Sequence, residues 1–427
     1  MDSERVNLVA AVTETDQVDP ATVVRLTDAL RGYFSLCHHT AQAGAVAEAA
    51  VAAAVATGDP ADGASAQLSR ALAAELRGDP TGARDAYAAA LTLARQAGWA
   101  DGEAAVLTNL GNQLWQRGRM GAAGEYYRQS LEICRRTGWA SGQATTLSNL
   151  CMIYWVLGRL TDAVEHQIRG LALYRELNSR NGEAIALANL GTVFHDQGRA
   201  RLAAAHLTRA LELYDETGNR YGQTLTLDTL ARVHRDAGRY ARALELARAS
   251  LALARQIDDP RTEVDARNTL AGIDLRLGQY RLARRGYTQA LRLAGRIDSR
   301  YPGVEALLGL ALAGLALTGP ETALRYATQA LAAARHGGYR VLEGRALTTL
   351  AEIQLARDDV EAATGYARQA LARHRETGHR PGALAALRLL ARLGSAGLRP
   401  RVEVLALADG GEPRELPPFF PAGSPWS

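Results

Sequence analysis

Apolar and polar positions recur along this chain with a period of 40 residues, in one register and without insertion or deletion, over residues 61–380. When the segments beginning at Asp101, Ser141, Asn181, Tyr221, Arg261, Tyr301 and Val341 are stacked, leucine fills one column: Leu110, Leu150, Leu190, Leu230, Leu270, Leu310 and Leu350. The next column is small (Gly111, Cys151, Gly191, Ala231, Ala271, Ala311, Ala351), and a turn column follows at Gly118, Gly158, Gly198, Gly238 and Gly278. Alanine is unbroken at 123, 163, 203, 243, 283, 323 and 363, and a last leucine column runs from Leu131 to Leu371. Within one unit, Val106, Leu107, Leu110 and Leu114 recur at helical spacing and predict a first helix over 103–117, ended by Gly118. A second helix is predicted over 121–136, burying Ala123, Tyr127, Leu131 and Cys134. The alanine column marks the place where the two helices cross, because only a small side chain allows close approach. A period of this length predicts an all-α solenoid, and solenoids usually bind partners rather than catalyse.

Outside the regular units the pattern weakens. Residues 1–20 predict one short helix, from Ser3 to about Thr13, with Ser3 as N-cap. Residues 21–60 keep the register through Leu30, Ala43, Ala50 and Val51, with His38 in place of the turn glycine, and read as a degenerate first repeat. Residues 381–397 predict a C-terminal capping helix carrying Leu387, Leu390 and Ala391. From 398 to 427 the chain is proline-rich and expected to be disordered.

Composition narrows the chemistry. Hydrophobic residues make up 47% and aromatics 6%, which suits helices packed through alanine and leucine. Lysine is absent, so all 49 basic residues are arginine, as codon bias in a high-GC actinobacterium would leave them. Without lysine neither a Walker-type phosphate loop nor Schiff-base catalysis can be built. The net charge of +4 is small and interspersed with acids. No basic stripe stands out in the sequence, so direct nucleic-acid binding is not expected. Three scattered cysteines, Cys37, Cys134 and Cys151, suit a reducing compartment. No signal region opens the chain, and no apolar run approaches the roughly 20 residues of a membrane span. A cytoplasmic protein without membrane contact is expected.

The columns resemble the tetratricopeptide repeat in its 40-residue form, on the strength of Leu110, Gly111, Leu114, Gly118, Ala123, Tyr127 and Leu131 and their equivalents over 61–380. The helix-ending proline of that family is replaced by longer Thr-Gly or Ile-Asp linkers. The resemblance implies a right-handed superhelix of about nine helical hairpins plus a capping helix, with the first helix of each hairpin on the concave face. The segment from Ser3 to Val12, with the Asn189-Leu190-Gly191 and Gly198-Arg199 patterns, also resembles the C-terminal sensor region of actinobacterial AfsR-type antibiotic regulators. No counterpart of the nucleotide-binding and DNA-binding modules of such regulators is present in this sequence.

In the family, one column of the first helix faces the groove just before the signature leucine. Here it holds Asn109, Asn149 and Asn189, whose amides each offer a donor and an acceptor to an extended peptide main chain. The alternative is that each bonds within its own hairpin. The column near the helix end holds Trp115, Trp155, His195 and Arg235, with Asp196 and Asp236 at its polar rim. The two tryptophans suit a binding hot spot, or else pack between neighbouring helices. Units beyond 300 read as blander, with Leu315, Ala316, Leu355 and Ala356 in these positions.

Other motifs are set aside. His234-Arg235-Asp236 copies a kinase catalytic loop but lies inside a helix and lacks the metal-binding asparagine. Cys37-His38-His39 lacks metal-ligand spacing. No nucleophile accompanies His195 and Asp196. The expectation is a non-enzymatic scaffold or sensor, with no cofactor and no metal, that captures a peptide or protein segment in bacterial signalling or the regulation of secondary metabolism. The alternatives are a detached sensor half acting through a separate ATPase or DNA-binding chain, and a small-molecule receptor. Homo-oligomerisation through a terminal repeat stays open.

Overall fold

The computed structural model describes residues 5–14, 19–37 and 40–394. Ser3, His38, His39 and the segment 398–427 lie outside the described residues. Twenty helices and no strand occur among the described residues: α1 (Arg5–Thr13), α2 (Pro20–Cys37), α3 (Thr40–Thr57), α4 (Pro60–Leu76), α5 (Pro80–Gln96), α6 (Ala100–Gln116), α7 (Met120–Thr137), α8 (Ala140–Val156), α9 (Leu160–Glu176) and α10 (Arg180–Asp196). The second half continues with α11 (Ala200–Thr217), α12 (Arg220–Asp236), α13 (Tyr240–Gln256), α14 (Pro260–Arg276), α15 (Tyr280–Arg296), α16 (Arg300–Thr318), α17 (Pro320–Gly337), α18 (Arg340–Ala356), α19 (Val360–Thr377) and α20 (Arg380–Arg392). The fold is an all-α solenoid of nine hairpins, α2/α3 to α18/α19, with α20 covering the last.

Helices begin about three residues before the apolar pattern does. Their first turn is set by caps, which carry no apolar signal: Asp79 Oδ1 accepts from Gly82 N at 2.9 Å, and Asn219 Oδ1 from Gly222 N at 2.9 Å. Pro60, Pro80, Pro260 and Pro320 occupy first-turn positions where no backbone N–H is needed. The hairpin turns need a left-handed residue, which is glycine at 118, 158, 198, 238 and 278. Where the linkers between hairpins depart from Thr-Gly, Asn178, Asp258 and Asp298 take the same conformation, with φ near 50°.

The predicted crossing is realised. All seven residues of the alanine column are 0% exposed. The small column is explained by the facing helix: a Cβ on Gly111 would lie 2.5 Å from the Tyr127 ring, and one on Gly191 would lie 2.4 Å from Leu207 Cγ. Packing divides the chain into two compact units, residues 1–114 with 122–146, and residues 115–121 with 147–427. In the first, Val23, Leu30, Phe34, Val46 and Ala50 form one core cluster, and Leu68, Tyr87 and Val106 belong to another.

In the second unit the first helices of successive hairpins pack on one another in a row, α10, α12, α14, α16, α18 and α20. The row curls back on itself. Trp155 of α8 packs at 5.3 Å against Tyr301 of α16, the rings tilted by 43°, and Tyr301 meets Tyr339 at 5.2 Å. A Cβ on Gly158 would lie 2.4 Å from Thr377 Cγ2, and one on Gly198 would lie 3.3 Å from Pro381. The inner faces of these helices therefore face one another around a lumen. Contrary to the sequence expectation, α16 is long and apolar enough to cross a membrane by length and composition. Its Val304, Ala306, Leu308 and Leu310 are instead buried in the solenoid, since neighbours cover it on both sides.

Candidate functional site

The inner stripe of each first helix follows a spacing of i, i+4, i+7, i+11 and i+14. In α12 it places Tyr221, Asp228, Arg232 and Arg235 on the lumen; in α14, Arg261, Asp265 and Asn268; in α16, Tyr301 and Glu305; in α18, Arg345. Glu305 sits between two arginines, with Arg345 Nη1 donating to its Oε1 at 2.9 Å and Arg232 Nη2 3.7 Å from the same atom. Burial alone would raise the Glu305 carboxyl, but Arg232 and Arg345 outweigh it and hold the group below the ordinary range. A second knot lies at the helix ends. Arg235 grips Asp236 through Nε at 2.8 Å and Nη2 at 3.1 Å, and His195 Nε2 lies 2.9 Å from Asp236 Oδ2. There too burial opposes ionisation, and Arg235 with the His195 hydrogen bond brings the Asp236 carboxyl well below its usual range.

Not every lumen acid is compensated. Burial raises Asp228, and Arg232 and a hydrogen bond from Thr269 offset this only in part. Burial raises Asp265 further, reinforced by the charges of Asp228 and Glu305. The Tyr221 ring is open, 46% exposed, and its protein surroundings push the phenol up to about 12.

The residues singled out from sequence are distributed as follows. Asn109 belongs to the first unit and donates from Nδ2 to its own helix at Ala105 O, 3.0 Å away. Asn149 and Asn189 belong to the second unit and are half-buried. Asn189 Nδ2 donates to Gln167 Oε1 of the preceding helix at 3.2 Å, and Gln167 Nε2 donates to Ser148 Oγ at 3.0 Å. Trp115 is half-buried at the end of α6. Trp155 is 8% exposed: besides packing against Tyr301, its Nε1 donates to Asp196 Oδ2 at 2.7 Å. His195, Arg235 and Asp236 come together as one cluster.

The sequence reading missed Tyr221, Asp228, Arg232, Asp265, Tyr301, Glu305 and Arg345. The signal for them was available, since they lie one to four turns ahead of the Trp155 column on the same helical stripe. The stretch beyond 300 is not bland, because Tyr301, Glu305, Arg345 and Glu352 carry its polar chemistry at positions earlier in the helix than Leu315 and Leu355. Among the described residues no group of three histidine, cysteine or carboxylate side chains is arranged to hold a metal ion.

Three segments match the tetratricopeptide-repeat family: residues 104–137, 142–216 and 223–296. The chain carries tetratricopeptide repeats. No curated protein matches it in sequence. Among solved structures it is similar to NprR in complex with its cognate peptide NprX, with 14% identity over 80% of this chain and 98% of that one and a TM-score of 0.60. It is similar to a Rap protein complexed with Competence and Sporulation Factor, with 12% identity over 90% of this chain and 99% of that one and a TM-score of 0.57. A third similar structure is a signal-transduction ATPase with a tetratricopeptide repeat sensor from Pyrococcus horikoshii, with 13% identity and a TM-score of 0.53 over 79% of this chain. This chain spans 52% of that protein. At these identities the likeness is one of fold.

Proposed function

We propose that this protein is a cytoplasmic regulatory sensor, without enzymatic activity, that takes an extended peptide or protein segment into the lumen of its second unit. The observation that carries the reading is the lumen itself, whose walls present charged side chains from successive repeats, with the rings of Tyr221 and Tyr301 among them. Such a surface matches an extended chain, which offers side chains at regular intervals and a continuous main chain for hydrogen bonding. The complexes of NprR and Rap with their ligands support the reading by analogy of fold. Of the residues expected from sequence, Trp115, Asn149, Asn189, His195, Arg235 and Asp236 keep open surface and are the proposed contacts there. Trp155 and Asp196, buried against each other, are proposed to hold the wall in place.

The test is selection from a displayed random-peptide library on the immobilised chain. Selected peptides should bind the intact protein and lose at least tenfold in affinity on an Arg235→Ala, Asp236→Ala variant. Peptides held equally by both would move the interface away from the lumen, and failure to select any peptide would overturn the reading. A second reading is favoured by the likeness to an ATPase with a repeat sensor: this chain as the sensor half of a regulator, acting through separate ATPase or DNA-binding modules. It predicts capture of such a chain with no peptide needed.

A further inference from the structure

The uncompensated carboxylates lie together on one part of the lumen wall. Among the described residues Asp265, on α14, has neither a hydrogen-bond nor an ion-pair partner. The charges that act on it most strongly are the carboxylates of Asp228, Glu305 and Asp259, against Arg232. Arg232 is already shared with Glu305. Arg261, one turn earlier on α14, reaches Gln116 at 3.4 Å. Two further observations at the same place are independent of charge. Asp228 is 5% exposed, and its Oδ1 has no hydrogen-bond partner. Asn268, 6% exposed, donates from Nδ2 to Pro302 O at 2.9 Å, which leaves its own Oδ1 without a donor. Asn268 and Asp265 are three residues apart on one face of α14 and are therefore neighbours.

Both orphaned buried atoms here are acceptors. A buried acceptor without a donor is destabilising, and a ligand can supply the donor that the protein does not. The open ring of Tyr221 stands in the electrostatic neighbourhood of Asp265 and is the exposed aromatic surface at this point of the wall. A free carboxylate, two orphaned oxygens and an aromatic ring together suit a flat or compact cation rich in N–H groups, which pairs with carboxylates and lies over aromatic faces.

We propose that Tyr221, Asp228, Asp265 and Asn268 form a subsite for the cationic side chain, arginine or lysine, of a peptide bound in the lumen. The proposal rests on the peptide-binding reading above and adds to it the charge of one ligand residue. The cation would donate to Asp265 with the Tyr221 ring along its side, and the orphaned oxygens of Asp228 and Asn268, closed to solvent without ligand, would be met as their side chains turn toward it. Glu305 remains committed to Arg232 and Arg345 and serves as the boundary of the subsite.

The experiment is the same random-peptide selection, run in parallel on the intact chain and on Asp265→Asn. That substitution keeps the shape and removes only an unpaired charge, so the variant should fold at least as stably. Peptides selected by the intact chain should be enriched in arginine or lysine at one position, and replacing that residue by citrulline or norleucine should weaken binding at least tenfold. The enrichment should vanish on Asp265→Asn while peptides are still selected. Peptides without a basic preference would overturn the subsite and leave the peptide-binding reading standing. A basic preference that persists in Asp265→Asn would overturn the assignment to these residues. Failure of the intact chain to select any peptide would overturn both.

Discussion

Gly158 and Gly278 occupy the same column, take the same left-handed conformation (φ +73° and +74°), and differ only in what surrounds them. A Cβ on Gly278 would meet nothing within 4 Å. A Cβ on Gly158 would lie 2.4 Å from Thr377 Cγ2, 2.9 Å from Arg340 Cβ and 3.1 Å from Thr377 Cβ, across the place where the row of helices closes. Alanine at either site costs about 1–2 kcal/mol for the left-handed backbone, offset by about 0.4–1 kcal/mol from a stiffer unfolded chain. Gly278→Ala should therefore lose about 1 kcal/mol. Gly158→Ala adds overpacking against buried Thr377, about 1–3 kcal/mol more. The assay is urea unfolding of both variants, read by midpoint and slope because repeats need not unfold as one transition. Thr377→Ser supplies the internal check. It removes Cγ2 but keeps Oγ1, which donates to His374 O at 3.2 Å. Combined with Gly158→Ala it should recover about 1 kcal/mol as a coupling energy. Equal losses at the two glycines, with no coupling to Thr377, would refute closure of the lumen.

Three buried histidines should make stability fall in mild acid. Burial first, then neighbouring positive charge, depresses His374 and His379 to about 3 and His234 to about 4. In the unfolded chain they titrate near 6.5, so it binds more protons below that pH. Their contribution is complete above about 6.5 and is lost as pH falls, by up to about 1.4 kcal/mol per pH unit for each histidine. Asp228, Asp265, Asp274 and Glu352, raised by burial, act in the opposite sense, so the profile from pH 7 to 5 should be compared with that of His374→Gln; slopes that do not differ would refute the neutral imidazole. Trp155→Phe keeps the ring beside Tyr301 but leaves the buried Asp196 without its donor, and should cost about 1–3 kcal/mol in urea unfolding; a loss under about 0.5 kcal/mol would deny the hydrogen bond a structural role. Cys134 and Cys151 are fully buried, with thiols pushed up by burial, and site-resolved mass spectrometry should find neither alkylated by iodoacetamide until the chain is unfolded.

What the sequence determined by itself was everything carried by local period. Two helices per 40 residues, the glycine turns and the alanine crossing follow from backbone and side-chain sterics repeated in one register. Even the inner stripe that holds Asp228, Arg232, Asp265 and Glu305 is a matter of helical spacing, and it could have been read from the columns. Tertiary structure decided how those columns face one another. Trp155 and Tyr301 are 146 residues apart in sequence, and no periodicity says that they meet, because the closure accumulates from small rotations at each hairpin interface. The same accumulation separates roles within one column. Trp155 is drawn into the wall by Asp196 and Tyr301, while Arg235, two repeats on, holds Asp236 at the open surface. It also settles which charges find partners. Glu305 meets Arg345 and Arg232 from two other hairpins, and Asp265, on a neighbouring hairpin, has no ion-pair partner among the described residues.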